Sequence, residues 1–141
     1  MSKYRVVDLF SGVGGLTFGF YYNLVNNQFK KRDNVEFVFA NEFAPQAVAA
    51  FKKNYGDDIP MIAGDICGIT DKEIEERLNG EEVDVIIGGP PCQSFSTVGQ
   101  RKYDDRAKLS NQYLRLLEKI KPKMFLDRKS TRLNSSHRCI S

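Results

Sequence analysis

The sequence predicts an α/β fold built on a mostly parallel sheet, and three observations carry that expectation. Strand-like apolar runs alternate with segments of helical spacing from Tyr4 to Leu126, the pattern of strands joined by right-handed helical crossovers with helices on both faces. A glycine-rich turn, Ser11-Gly12-Val13-Gly14-Gly15, follows the first run. A later run, Val83-Asp84-Val85-Ile86-Ile87, is stopped by Gly88-Gly89-Pro90-Pro91, because neither residue type continues a ladder and each proline fixes its own φ.

Taken in order, Tyr4 to Phe10 reads as the first strand, and the glycine turn leads into a helix from about Leu16 to Asn26 with Leu16, Gly19, Phe20 and Leu24 on one face. Residues 26–34 read as a polar loop. Val35 to Ala40 is a second strand closed by Asn41-Glu42, and Pro45 suits the first turn of a helix carrying Ala47, Val48, Phe51 and Tyr55 at helical spacing. Met61-Ile62-Ala63 is a short third strand ending at Gly64-Asp65. Thr70-Asp71-Lys72-Glu73 has capping-box spacing and opens a charged helix to about Leu78. The strand before Cys92 is the fourth. A long loop is expected from Ser94 to Asp105, then a helix marked by Leu109, Tyr113, Leu116, Leu117 and Ile120, and Lys123 to Leu126 begins a fifth strand.

Cys92 is the most informative residue. The Pro-Pro stalk places its thiol just beyond a buried strand, facing the polar segment Gln93-Ser94-Phe95-Ser96, at the sheet edge where open α/β folds bind ligands. The alternative is a small buried hydrophobe, although a core cysteine needs neither the stalk nor the polar loop. Cys67 and Cys139 fit that alternative better. Three cysteines without metal-ligand spacing, in a chain with no signal peptide, indicate a reducing, cytoplasmic setting with no disulfide framework and no metal site.

The 141 residues suffice for one domain, and 41% hydrophobic with 28% charged content is ordinary for a globular chain. No apolar stretch approaches the roughly 20 residues needed to cross a membrane. The net charge of +3 is not spread evenly. Residues 127–141 hold four of the 21 basic residues and one of the 18 acidic ones, so the remainder balances at 17 of each and composition says nothing about nucleic acid. Asp127 to His137 lacks apolar periodicity and back-translates to a short-read sequencing adapter. The expected organisation is therefore a partial catalytic domain over residues 1–126 and a non-native, disordered tail over residues 127–141.

The glycine turn offers close backbone approach and free N–H groups, but its spacing is not a full dinucleotide fingerprint. Glu42, at the end of the second strand, can accept both hydroxyls of a ribose, and Asp65, at the end of the third, can accept from an exocyclic amine such as adenine N6. Either could equally be a solvated loop charge. Together with the turn they fit an adenosine-bearing cofactor.

These residues carry a family resemblance. Asp8-Leu9-Phe10-Ser11-Gly12-Val13-Gly14-Gly15, Asn41-Glu42, Gly64-Asp65-Ile66, Gly89 to Ser96, and Asp105-Arg106 with Leu109 stand in the order of five motifs. The stretch from Val6 to Leu126 resembles the N-terminal part of the cytosine carbon-5 DNA methyltransferases. The resemblance implies a Rossmann-like methyltransferase fold that stops after the fifth strand begins, with S-adenosyl-L-methionine as methyl donor. It sets Phe10 against the adenine, the backbone of Gly12 and Gly14 beside the methionine moiety, Glu42 on the ribose, and Asp65 with Ile66 at the adenine. It implies Cys92 as the nucleophile, Gln93, Ser94 and Arg106 on the substrate side, a mobile loop closing over DNA, and Asp105 with Arg106 organising the pocket. Double-stranded DNA with a flipped cytosine is the implied substrate, and a cognate restriction endonuclease an expected partner in a prokaryotic type of system.

The departures are as informative. In the family, Lys121 to Leu126 would lead into a Glu-Asn-Val segment whose glutamate protonates the base; here Asp127-Arg128-Lys129 follows, and that role is not carried over to Asp127. The target recognition region, a later arginine motif and a C-terminal helix are missing, so the 141-residue chain is expected to bind cofactor weakly or not at all and to show no turnover. Three other readings remain: a tRNA cytosine methyltransferase on the same scaffold, an inactive cofactor-binding fragment, and a nicotinamide-dependent oxidoreductase, which does not explain Cys92.

Overall fold

The computed structural model describes residues 2–90 and 100–127, with backbone alone for 100–106. The elements run β1 (Tyr4–Leu9), α1 (Gly15–Tyr21), β2 (Tyr22–Val25), β3 (Gln28–Lys31), β4 (Val35–Glu42), α2 (Pro45–Tyr55), β5 (Met61–Ala63), a 3₁₀ turn (Ile66–Gly68), α3 (Asp71–Leu78), β6 (Val85–Ile87), α4 (Gln100–Ile120) and β7 (Met124–Leu126). Five strands form one parallel sheet in the order β5-β4-β1-β6-β7. The expected α/β architecture is what the chain adopts.

Burial on both faces explains the apolar runs. Val7, Leu9, Phe39 and Ile86 pack with Ile74 of α3 and with Tyr113, Leu116 and Ile120 of α4. Val6, Phe37, Ala40, Val85 and Ile87 pack on the other face with Phe51 and Tyr55 of α2, and Leu16 and Phe20 of α1 lie against them. The β1–β4 register slips between Val6, opposite Phe37, and Val7, opposite Phe39. Val38 is thus an inserted bulge residue, which is why Val38 and Phe39 both join the α3/α4 core although neighbours in a strand alternate.

The helix ends follow local chemistry. Thr70 caps α3 by accepting from the Glu73 N–H at 3.1 Å, and Asn79, at φ 52°, ends it. Pro45 occupies the first turn of α2, and Gly56 closes it. Lys121, at φ 51°, turns the chain out of α4 before Pro122.

Two expectations need correction. The first helix ends at Tyr21, and residues 22–31 form an antiparallel hairpin in place of a longer helix and a loop. Asn26 and Asn27 adopt φ 51° and 60°, the paired left-handed geometry of a tight hairpin turn, which asparagine tolerates. Leu24, counted on the helical stripe, is 60% exposed; the ring of Phe18 is held by Tyr22 and Phe29 at 4.8 and 4.9 Å. The second correction concerns α4, which starts at Gln100 and not after Asp105. Gln100 to Lys108 contains no glycine, proline or β-branched residue, so nothing interrupts the helix once the chain has passed Gly99.

The hairpin geometry is testable. Asn27→Val forces a β-branched residue into the left-handed region and is expected to lower unfolding free energy by about 1–2 kcal/mol, whereas Asn27→Gly leaves it unchanged or raises it. A helix through this segment would give the opposite ranking in urea denaturation.

Candidate functional site: the crevice between two strand ends

The chain leaves β1 toward β4 and β5, then returns to β6 and β7 on the other side. A crevice therefore opens where β1 and β6 part, at their carboxyl ends. Gly88 prolongs the ladder by donating its N–H to the Leu126 carbonyl at 2.9 Å. It sits at φ 83°, and a Cβ there would collide with the Leu9 carbonyl oxygen. Only glycine allows β6 to end pressed against β1. Tyr113 of α4, itself buried, donates its hydroxyl to the Gly88 carbonyl at 3.0 Å. Burial, with the charge of Asp127 added, pushes that phenol up to about 12, so it stays a donor at neutral pH.

On the β1 side, Phe10 leaves the strand at φ 56°, an uncommon conformation for a bulky residue and one concentrated at functional sites. Its ring lies 6.4 Å from that of Tyr113. The glycine turn follows. Ser11 donates its N–H to the Asn41 carbonyl at 3.1 Å, tying the turn to β4. Gly14 adopts φ 95°, and a Cβ on it would strike the Tyr55 ring. The Tyr55 hydroxyl donates to the Gly14 carbonyl at 2.5 Å. Gly12, at φ 59°, is different: a Cβ there would meet nothing within 4 Å. The turn rests on α2 through Gly14 and faces open space at Gly12.

Glu42, half-buried at the end of β4, accepts from the Gly12 N–H through Oε1 at 2.9 Å and from the Ala44 N–H through Oε2 at 2.8 Å. Both bonds leave each oxygen a further lone pair. Phe43, beside it, is 69% exposed. Asn41 is buried and donates through Nδ2 to the carbonyls of Ile62 and Gly64 at 2.8 and 3.0 Å. That clamp fixes the end of β5 and brings Asp65 to the strand end next to Glu42. Asp65 is exposed; its Oδ1 accepts from the Cys67 N–H at 2.9 Å, a bond that holds the carboxyl below the usual range. Ile66 buries its side chain in the α3/α4 core. Cys67 is half-buried in the 3₁₀ turn.

The structure thus gathers Phe10, Gly12, Gly14, Glu42 and Asp65 along one edge. Cys92, Gln93 and Ser94 lie outside the described residues, and of Arg106 and Asp105 only their backbone position within α4 is described. Sequence reasoning missed Asn41 as a clamp, Phe43 as an exposed ring, and Tyr55 and Tyr113 as donors to the turn and to Gly88. It also missed Asp8, although an acid inside Val6-Val7-Asp8-Leu9 is itself a signal. Asp8 is 1% exposed; Oδ2 accepts from the buried Thr17 hydroxyl, and Oδ1 has no hydrogen-bond partner among the described residues. Burial pushes Asp8 up to about 7; the Thr17 bond opposes this and the charge of Glu42 adds to it. Among the described residues no group of His, Cys, Asp and Glu converges as a metal site, and no helix is long and apolar enough to cross a membrane.

Comparison with known proteins decides the family. The model of the family described as C-5 cytosine-specific DNA methylase matches residues 4–127. The chain belongs to that family. The methylase chain is 37% identical over 125 residues to the type II methyltransferase M.AgeI of Thalassovita gelatinovora, covering 86% of the chain and 27% of the relative. It is 40% identical over 124 residues to M.NgoPII of Neisseria gonorrhoeae, covering 86% of the chain and 32% of the relative. Among solved structures, a DNA modification methyltransferase encoded within an E. coli prophage superposes with a TM-score of 0.67 at 29% identity, over 89% of this chain and 31% of that one. The chain therefore spans about a third or less of the length of these relatives.

Two outcomes test the site. Asp8 is protonated more readily in the folded chain, near 7, than at its ordinary value of 3.8. The stability this contributes is full below about pH 4 and is lost as pH rises through 7, on the order of 4 kcal/mol. Asp8→Asn should remove that slope, read as urea midpoints of both proteins at pH 4.5 and pH 8. Gly14→Ala meets both a strained φ and the Tyr55 ring, and is expected to cost about 2–4 kcal/mol. Gly12→Ala, which meets only the φ cost, should cost about 1–2 kcal/mol in the same assay.

Proposed function

We propose that the chain forms the cofactor-holding and nucleophile-bearing part of an S-adenosylmethionine-dependent methyltransferase acting on carbon 5 of cytosine in double-stranded DNA. The observation that carries the reading is the Glu42 carboxylate. It is oriented by two backbone N–H groups at the mouth of a glycine turn, and each of its oxygens keeps a further lone pair. Family membership raises the same expectation.

The residues fit an adenosyl ligand. Gly12 has open space where a side chain would stand, Glu42 offers paired acceptors to a ribose diol, and the Asp65 carboxylate is exposed at the neighbouring strand end. Phe10 and the exposed Phe43 offer aromatic faces at that edge. S-adenosylmethionine would supply an electrophilic methyl group on a sulfonium.

The chain's own part is to make carbon 5 nucleophilic. Carbon 5 of cytosine is unreactive within an aromatic ring. Addition of the Cys92 thiolate to carbon 6 gives an enamine-like ring whose carbon 5 can attack an electrophile. Loss of the carbon-5 proton and expulsion of the thiolate then restore the ring. The thiolate is the reactive form, and Gly88, held by Leu9, Leu126 and Tyr113, gives the Pro90-Pro91 stalk a fixed base. The cytosine must leave the duplex to reach a strand-end thiol, with Gln93, Ser94 and Arg106 assigned to its surroundings.

The reading extends to context. It assigns residues 1–126 to the methyltransferase domain and the segment beyond to foreign sequence, in line with the family match ending at residue 127. It places the protein in the cytoplasm, and the type II names of the relatives suggest a cognate restriction endonuclease as partner.

The deciding experiment uses the parent protein read from an uninterrupted gene, incubated with DNA containing 5-fluorocytosine and cofactor. A covalent adduct is expected with native Cys92 and none with Cys92→Ser, while cofactor affinity changes less than threefold. Glu42→Ala should weaken that affinity at least tenfold. An adduct that survives Cys92→Ser rejects the assigned nucleophile, and an unchanged affinity in Glu42→Ala rejects the ribose site.

A further inference from the structure

Asp8 is a full-length ionisable side chain sealed beneath the crevice, with one oxygen that bonds nothing among the described residues. Natural structures satisfy nearly all such atoms, so an exception calls for a reason. The orphaned Oδ1 lies 3.2 Å from the position a Gly88 side chain would take, where the ends of β1 and β6 part. The other oxygen is fixed by Thr17 of α1.

Among the described residues, the groups facing Asp8 are acidic or neutral. Glu42 from β4 adds negative charge, the Tyr55 phenol of α2 feels the charge of Asp8, Thr17 is neutral, and Ile87 of β6 and the following Gly88 are uncharged. None of the ion pairs found among the described residues involves Asp8 or Glu42. Among the described residues, two carboxyl groups thus flank one glycine turn with no cation between them. Burying a carboxylate without a partner is costly enough that the group takes up a proton. A fixed positive charge entering the crevice would reverse that balance.

We propose that Asp8 makes the crevice selective for ligand charge: its buried carboxyl releases a proton to solvent when a sulfonium-bearing adenosyl ligand binds, and recovers one when the ligand is the neutral thioether. The inference rests on the cofactor reading given above and deepens it. The proton goes to and from bulk water, and no covalent step is involved. The consequence is directional. The methyl donor binds the deprotonated protein, whereas the demethylated product is held less tightly once its charge is gone, so product release is favoured by the same residue that favours cofactor capture.

The test measures dissociation constants of S-adenosylmethionine and S-adenosylhomocysteine by equilibrium dialysis, at ligand concentrations up to millimolar, with the parent protein read from an uninterrupted gene and its Asp8→Asn variant. Taking the ratio of the two constants largely cancels the amino and carboxyl groups common to both ligands. In the native chain the preference for the sulfonium should strengthen about tenfold between pH 6 and pH 8. In Asp8→Asn, which keeps an oxygen for Thr17, it should be flat. If that variant does not fold, ¹³C-carboxyl NMR of the native chain decides: the Asp8 titration midpoint should fall by at least one pH unit with the sulfonium and remain with the thioether. Both ligands bound with a pH-independent ratio, or the same pH slope in Asp8→Asn, overturns the role of Asp8 and leaves the cofactor reading intact. Neither ligand retained at millimolar concentration overturns both.

Discussion

A single carboxylate organises the functional edge of this protein. Glu42 joins the glycine turn after β1 to the start of α2 by accepting from the N–H groups of Gly12 and Ala44. Backbone donors to an ionised acceptor make strong, well-directed bonds, so the side chain acts as a strut, beside the ligand role proposed for it. Its position depends on the central β1–β4 pairing, which sets Leu9 opposite Asn41. The bulge at Val38 lies upstream in the same strand. Without that inserted residue the alternation beyond it would reverse, and Glu42 and Asn41 would exchange faces.

The crevice is shaped chiefly by main chain. Gly88 brings the end of β6 against Leu9, Gly14 brings the turn down onto Tyr55, and Asn41 fixes the end of β5 with two bonds from one amide. Tyr113 and Tyr55, one from each helical layer, reach the two edges of the crevice with their hydroxyls. Each helical layer therefore contributes a buried phenol to the site, and the packing that stabilises the sheet also sets the geometry of its rim. The unusual backbone of Phe10 belongs to the same design, since it turns the side chain off the β1 axis toward the rim. Among the described residues, Asp8 is the most deeply buried carboxyl group, set inside this packing and not along its edge.

Much of this was legible in the sequence, and the exceptions are physical. The two-faced apolar runs, the capping box at Thr70 and the proline at the start of α2 each reflect local rules, and the structure follows them. The acids at strand ends were readable because strands stop where apolar runs stop. Residues 22–31 were misread because Leu16, Phe20 and Leu24 happen to match helical spacing, while the Asn26-Asn27 turn that overrides it is a weaker signal than asparagine with glycine. The start of α4 was set too late, since polarity suggested a loop where helix propensity was uninterrupted. Tyr113 was recognised as a core position, but its hydroxyl bond to Gly88 depends on a partner 25 residues away, which periodicity cannot show. The roles of Asp8 and Thr17 likewise arise only when β1 and α1 meet.

The most direct measurement of the central claim is the response of individual backbone amides to S-adenosylmethionine in ¹⁵N-resolved NMR spectra of the parent protein read from an uninterrupted gene. The account predicts that the amides of Gly12 and Ala44, the two bound by Glu42, shift together and saturate at one ligand concentration, while those of the β2–β3 hairpin stay in place. Shifts centred on the hairpin, or no shift at Gly12 and Ala44 under saturating ligand, would contradict it.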